Sequence, residues 1–472
     1  MDTKQFPWNE MCRPPRIGLL LLGHRDYPND IGLHFARQAA TALREAGCEV
    51  LFDAEARVDA ASAETAAREL LKGEPDGVIV CPGTWLEGDT ALAAVREIEH
   101  LPFMLWGLPM CDWEGRREST GSFVAVCSLK GPLERMGYRF RMVIGLPEDE
   151  ATLGSLTGFA RAAAARQQLK RTRLGLMGYV AMAIYAGTFD HVLLRRIVGP
   201  EVVHLDTSSL IREIETVDDD AAAAWLGGVQ APALQAQVET TDERLQLAGR
   251  MTEALARLAQ RHHLHGLNVK CQYELSQEYG MTPCLPLALL ADAGLIASCE
   301  GDMMVHVTQT MLRHLTGQVV PYVDLLDLSV GPLASSRQAV PAGSRRSQAL
   351  FSACGFAPLS LKHAPDPCRI CEFNHPGFSG LICGITLKRG PVTFAQLSEG
   401  RGDYRLLYGT GTGVDTELRG GRFPALQVEL NCGADDLLRE IKGQHFALCY
   451  GDVTEDLGLL CEMLGVTAVP LG

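Results

Sequence analysis

The chain has little that would send it into or across a membrane. Its first residues, MDTKQFPWNEMCRPPR, are polar and carry no apolar core of a secretory leader. The dense apolar run nearest to them, Ile17 to Leu22, has the length of a strand and cannot span a bilayer. No G-x-G-x-x-G follows that first strand, so a dinucleotide site has no support. Internal repeats, heptads and low-complexity tracts are also missing. A net charge of −14 argues against nucleic acid or an acidic membrane surface as partner, because polyanions would be repelled. The 15 cysteines are scattered rather than framed, and without a leader they read as reduced thiols of a cytoplasmic protein.

What is present is ordinary globular composition, 47% hydrophobic and 21% charged. A length of 472 residues exceeds one core, and at roughly 150 residues per domain three domains are expected. Hydrophobic patterning places them at 1–165, 166–330 and 331–472. The first alternates strands (Ile17 to Gly23, Cys48 to Phe52, Gly77 to Cys81, Pro102 to Leu105) with helical stretches, which predicts a parallel α/β sheet. The loops after its first and third strands carry His24, Arg25 and Trp85, candidate binding groups by position. The second domain repeats the alternation from Arg173, with a helix predicted over Gly187 to Val198. After about Asp327 short β-type pieces appear between glycines and prolines: Gly380 to Leu387, Val392 to Leu397, Tyr404 to Tyr408 and Ala425 to Leu430. The third domain is therefore expected to be mainly β, closing with an α/β element at Phe446 to Leu464.

Two places in the second domain bring acids to strand ends. The stretch Gly266 to Cys271 reads as an apolar strand entering Gln272-Tyr273-Glu274-Leu275, and Leu295 to Cys299 reads as another, leading into Glu300-Gly301-Asp302. A helix over His306 to Leu315 follows. Ligands in open α/β sheets collect outside the carboxyl ends of strands. Acidic residues at a helix start also serve simply as caps. Carboxylates at two strand ends of one sheet, with His445 at the entrance of a later strand, make a donor set suited to a hard divalent cation. The same carboxylates can move protons between neighbouring carbons of a sugar. A separate group, His363, Cys368, Cys371 and His375, has ligand types that suit zinc (Zn²⁺), set against chance cysteines in a proline-rich loop. The pair Arg116-Arg117 is a candidate anion contact or a solvated surface.

Four ordered segments carry a resemblance. They are LMGYVAMAIYAGTFDHVLLRRIVGPEVVHLD, KCQYELSQEYGMTPCLPLALLADAGLIASCEGD with the helix ending LTG and VVPYVDL behind it, GPVTFAQL, and GQHFALCYGDVTEDLGLLCEMLGV. Together, over about Arg173 to Val466, the chain resembles the L-fucose isomerase / L-arabinose isomerase family, closer to the fucose type. The resemblance implies metal-dependent aldose–ketose isomerisation through an enediol, acting on a free monosaccharide such as L-fucose, D-arabinose or L-arabinose. It implies Mn²⁺, or another divalent cation such as Mg²⁺, held by Glu274, Asp302 and His445, with Glu274, Glu300 and Asp302 as the catalytic carboxylates. The arabinose-type branch points to Glu300 as the ligand instead of Asp302. Homo-trimers or homo-hexamers with sites shared between subunits are implied too, so that His24, Arg25 and Trp85 would reach a neighbour's substrate. One departure stands out. Where some members carry a histidine before a Cys-Gly pair, this chain has Ala353 before Cys354-Gly355. That leaves room for an unusual sugar, for a sugar or sugar-acid binder that does not isomerise, or, through the cysteine loop, for a zinc-held interaction protein.

Overall fold

The structure is a computed structural model that describes residues 6, 8, 13–229, 234, 236–330, 347–373 and 377–472. Two compact units emerge, one formed by 13–167 and one by 168–472 together with the first residues.

In the 13–167 unit, five strands form one parallel sheet in the order Glu49–Leu51, Arg16–Leu22, Gly77–Pro82, Phe103–Gly107, Phe140–Ile144. Arg16–Leu22 and Gly77–Pro82 are buried almost throughout, as continuous apolar runs must be when helices cover both faces. The helices Asn29–Glu45, Ala60–Leu71 and Gly88–Ile98 match the expected ones. Asp59 opens the second of them with a reciprocal capping box to Ser62. The hairpin Cys111–Trp113 with Arg116–Glu118, and the helix Ser122–Arg135, had no clear sequence pattern. Arg116 and Arg117 are exposed on that hairpin.

One close approach sets the geometry of the loops above this sheet. A Cβ on Gly32 would come within 2.8 Å of the Gly83 Cα, so helix and loop touch backbone to backbone. Gly32→Ala is expected to destabilise the protein by about 1–3 kcal/mol, the usual cost of overpacking. An unchanged urea midpoint for this variant would refute the contact.

The 168–472 unit begins with a four-stranded parallel sheet ordered Ile296–Cys299, Gly266–Val269, Arg173–Met177, Glu201–Leu205. The β-rich remainder is a ring of strands: Tyr322–Val330, Ser347–Ser352, Ala425–Leu430, Tyr404–Val414, Gly390–Glu399, His445–Tyr450 and back to Tyr322–Val330. Every pair in the ring is antiparallel. Closure leaves no open edge within the ring, the general remedy for exposed strand edges. Thr467–Leu471 adds in parallel alongside Tyr404–Val414. The fold is thus mixed α/β with parallel sheets and a β-rich C-terminal region, as expected. Differences are local. The stretch at 181–187 forms two short 3₁₀ turns, and the helix expected from Gly187 starts only at His191, behind Asp190 as its cap. Gln272 to Leu275 does not continue as a strand. Tyr273 takes a left-handed φ of 47°, and Glu274 opens a π-helical turn over Glu274–Tyr279.

The helix Met303–Thr316 joins sheet to barrel. It is buried over nearly its whole length, including the polar His306, Thr308, Gln309 and Thr310. Gln309 Nε2 donates to Ala297 O of the parallel sheet at 3.0 Å, and Thr308 Oγ1 accepts from Leu397 N of the barrel at 3.0 Å. These bonds offset part of the cost of burying polar groups, although His306 Nε2 and Gln309 Oε1 have no hydrogen-bond partner among the described residues. His306 Nδ1 lies 2.7 Å from Ser298 Oγ, and burial holds the ring neutral with a pKa pulled down to about 4. The unfolded chain therefore binds a proton that the folded state refuses, so stability is full above the ordinary histidine value and falls as pH drops from about 6.5 towards 4. At about 1.4 kcal/mol per pKa unit this is worth roughly 3 kcal/mol. Urea titrations at pH 7 and pH 4.5 are expected to show a smaller acid loss for His306→Gln than for the parent.

Candidate active site

The site grows from the adjacent ends of two strands. Gly266–Val269 and Ile296–Cys299 pair in parallel with Val269 opposite Cys299, so Lys270 and Glu300 leave the same sheet edge side by side. Glu300 and Gly301 both take left-handed φ, 69° and 71°. A Cβ on Gly301 would lie 2.1 Å from Tyr179 O, so only glycine fits there. Asn268, fully buried, pins the turn from below: its Oδ1 accepts from Gly301 N at 2.8 Å and its Nδ2 donates to Asp302 O at 2.7 Å.

Asp302 is the N-cap of Met303–Thr316, its Oδ1 accepting from Val305 N at 3.0 Å. Its other oxygen, Oδ2, is 2.7 Å from His445 Nδ1. The capping role considered from sequence and the bond to His445 thus belong to one side chain. His445 opens the barrel strand His445–Tyr450 and lies opposite Asp324 in the neighbouring strand. Its Nε2 faces Tyr322 Oη at 3.0 Å, Asp324 Oδ1 at 3.3 Å and Glu300 Oε2 at 3.4 Å. Glu300, Asp302 and His445 are only 5%, 4% and 3% exposed. Burial opposes charge on the imidazole, but hydrogen bonds to Asp302, Asp324 and Glu300 outweigh it and hold the ring's pKa well above its ordinary value.

Three thiols line the other side. Cys354 Sγ lies 3.5 Å from Glu300 Oε1, and Cys271, Cys299 and Glu300 have ligand-type atoms within 4.8 Å of one another. The Cys299 contact lowers the Cys354 pKa, but burial and the Glu300 charge push it up to about 11. Hydrogen bonds with Cys271 and Cys354, together with burial, raise Cys299 further. Burial thus disfavours the thiolate at Cys299 and Cys354, which makes both weak nucleophiles.

Glu274 stands at the neighbouring strand end. Lys270 Nζ donates to its Oε1 at 2.9 Å, while its Oε2 is enclosed with no hydrogen-bond partner. Burial raises the pKa, but the hydrogen bond and charge of Lys270 together with a backbone hydrogen bond outweigh it, so the carboxylate is held below its ordinary value. Among the described residues Glu274 makes no hydrogen bond or ion pair to His445, Glu300 or Asp302.

Of the residues singled out in the sequence, then, Glu300, Asp302 and His445 converge, and Glu274 lies one strand away. His24 and Trp85 are placed within the 13–167 unit, where Thr84 Oγ1 accepts from His24 N and donates to Trp85 O. Arg25 is exposed on the same loop. Cys368 and Cys371 sit inside the strand Cys368–Glu372, both thiols raised by burial, Cys368 to about 12. Neither belongs to a group with ligand spacing among the described residues, and His375 lies outside them. Sequence reading missed Tyr322, Asp324, Asn268 and the thiols. A signal for the first two existed: in PYVDL, alternation puts Tyr322 and Asp324 on one face of a strand.

Fold and site define an α/β protein with a β-barrel, whose chemistry-bearing groups gather where a parallel sheet edge meets two barrel strands. The relatives narrow this. Sulfoquinovose isomerases of Priestia aryabhattai and Priestia megaterium are 24% identical over 370 residues, covering 76% of this chain and 79% of theirs. The sulfoquinovose isomerase of a Clostridium species is 22% identical over 393 residues, covering 80% and 83%. No family model matches the chain. A solved periplasmic solute binding protein from Actinobacillus succinogenes with bound D-allose aligns at 11% identity over 64% of this chain and 92% of its own, but its TM-score of 0.16 carries no argument.

Asn268→Ala leaves the buried Gly301 N–H without its partner and removes one of the two hydrogen bonds to Asp302 O, which keeps that from His306 N, and is expected to cost about 1–3 kcal/mol. Urea unfolding checks it, and a loss under about 0.5 kcal/mol, the scale of a neutral surface change, would show that the turn does not depend on Asn268.

Proposed function

We propose that the protein interconverts an aldose and its ketose at this site, as an intramolecular oxidoreductase, and that its substrate is a sulfonated hexose of the sulfoquinovose kind. The observation that carries this reading is the buried convergence of Glu300, Asp302 and Asp324 on His445, in a chain that aligns over three quarters of its length with sulfoquinovose isomerases. The resemblance to fucose- and arabinose-type isomerases supports an enediol route.

The donor set fits a hard divalent cation. Three carboxylates face a single imidazole, and a further enclosed carboxylate oxygen, Glu274 Oε2, has no partner. Oxygen donors with one imidazole suit Mn²⁺ or Mg²⁺. Glu300, Asp324 and His445 Nε2 would hold it. Asp302, bonded to Nδ1, would orient the ring, as carboxylates behind metal-bound histidines do. Glu274 or Asp302 completes the set if the substrate displaces another group. When bound, the cation supplies stabilisation of oxygen charge developing at C1 and C2 of the open-chain sugar.

The chain's own groups account for the proton movement. Glu274 Oε2 takes the proton from C2 and returns it to C1, while one proton passes from the C2 hydroxyl to the C1 oxygen, so the ketose forms with no net gain or loss of protons. Lys270 keeps Glu274 ionised and so able to accept. Tyr322 stays a neutral phenol, because burial and the neighbouring Glu300 raise its pKa well above the ordinary value. It can therefore donate a hydrogen bond to a sugar oxygen.

Glu274→Gln is expected to lower kcat by roughly 10²–10⁴-fold, the usual contribution of a positioned acid–base group, while the melting temperature stays close to the parent's. Stripping with a chelator should abolish turnover and Mn²⁺ should restore it. Calorimetric titration with Mn²⁺ should show binding by the parent and not by His445→Asn. Full activity of Glu274→Gln would remove Glu274 as the base, and undiminished turnover after chelation would remove the cation.

A further inference from the structure

An anionic sugar poses a charge problem at this site. The chain is acidic overall, and the pocket itself collects Glu300, Asp302 and Asp324. A sulfonate entering it needs a cation that is not already spent. Lys270 is spent, since its ammonium is paired with Glu274.

Arg419 meets the requirement. Its Nε donates to Ser352 Oγ at 2.9 Å and its Nη2 to Ala353 O at 3.2 Å. The guanidinium lies flat over the Phe423 ring, 4.2 Å from its centroid. Ala353 is followed by Cys354, whose Sγ touches Glu300, so this cation is anchored one residue from the acid–histidine cluster. Asp324 and Cys354 are close enough to act on it electrostatically. Yet among the described residues Arg419 forms no ion pair, and its Nη1 donates to no protein atom. The side chain is half-buried, fixed at two donors and stacked on an aromatic face, which leaves one edge of the fork free. Charged side chains with this degree of fixation ordinarily sit opposite an acid, as Arg369 does with Glu239.

We propose that Arg419 is the specificity-determining residue, receiving the anionic group on the end of the hexose remote from the isomerising carbons. The proposal rests on the isomerase reading above and deepens it to a substrate class: aldoses with a terminal sulfonate in preference to the same sugars with a terminal hydroxyl. The two-pronged, planar donor suits any oxyanion, so sulfonate, phosphate and carboxylate at C6 share this chemistry and the test must separate them.

The measurement is kcat/KM of the Mn²⁺-loaded full-length enzyme for glucose, 6-sulfo-6-deoxyglucose, glucose 6-phosphate and glucuronate. Parallel assays use Arg419→Gln and Arg419→Lys. The preference ratio of the sulfonated over the neutral sugar is expected to fall by about 10–100-fold in Arg419→Gln, the range for losing a hydrogen bond to a charged group, mainly through KM. Arg419→Lys should recover part of it. The parent's order among the three anions identifies which oxyanion the site is shaped for, and a phosphate or carboxylate favoured over sulfonate would overturn the sulfonate assignment. An unchanged preference ratio in Arg419→Gln would overturn the role of Arg419, as would an equal loss for neutral and anionic sugars, which marks a structural part only. Should no aldose be turned over by the parent, calorimetric binding of 6-sulfo-6-deoxyglucose to parent and Arg419→Gln decides the matter separately. A difference keeps the anion site and sinks the isomerase reading, and no difference sinks the proposal.

Discussion

Asp302 is bonded from two sides, and the 168–472 unit is arranged around those two bonds. One oxygen caps the helix Met303–Thr316, and the other fixes the imidazole of His445. The helix is tied to the parallel sheet through Gln309 and to the barrel through Thr308. A single carboxylate therefore links sheet, helix and barrel. Moving it would disturb a helix start as well as a reactive ring. That double use explains why the turn beneath it is over-determined: Asn268 holds Gly301 and Asp302, Tyr179 crowds Gly301, and a Cβ on Gly187 would meet Asp302 at 2.8 Å.

The turn also stores strain. Glu300 is a non-glycine residue with φ of 69°, and Tyr273 beside Glu274 has φ of 47°. Left-handed backbone at such residues costs on the order of 1–3 kcal/mol each and persists only where the surroundings enforce it. Both outliers flank the carboxylates that the chemistry uses. Burial then sorts the neighbouring groups by charge. The thiols of Cys299 and Cys354 and the phenol of Tyr322 are driven towards their neutral forms, while His445 is driven towards its charged form by three acids.

Much of this was legible in the chain. The alternation of the first four strands with their helices, and of the strands at 173, 202, 266 and 295, followed from period and glycine punctuation, because buried parallel strands are apolar runs and the helices between them carry clear stripes. Glu300, Asp302 and His445 stood out because acids at strand ends and a histidine at a strand entrance are chemically conspicuous. Glu274 stood out for the same reason, but periodicity could not foresee the π-helical turn that starts there, since a single left-handed residue at Tyr273 decides it. The helix expected from Gly187 began late because Asp190 supplies a cap and Gly187 is needed against Asp302.

The sequence by itself determined the elements, the acidic strand ends and the class of chemistry they support, for these depend on local pattern and residue type. Tertiary structure decided which groups meet. Asp324 faces His445 only because two barrel strands pair in one register, and Tyr322 and Cys354 join them from strands far apart in the chain. Arg419 was unremarkable in sequence, one arginine among many, until a turn folded it against Ser352, Ala353 and Phe423 and left it with no ion pair among the described residues. Register and closure are long-range properties, set by how whole faces bury against each other, and no local window of residues contains them.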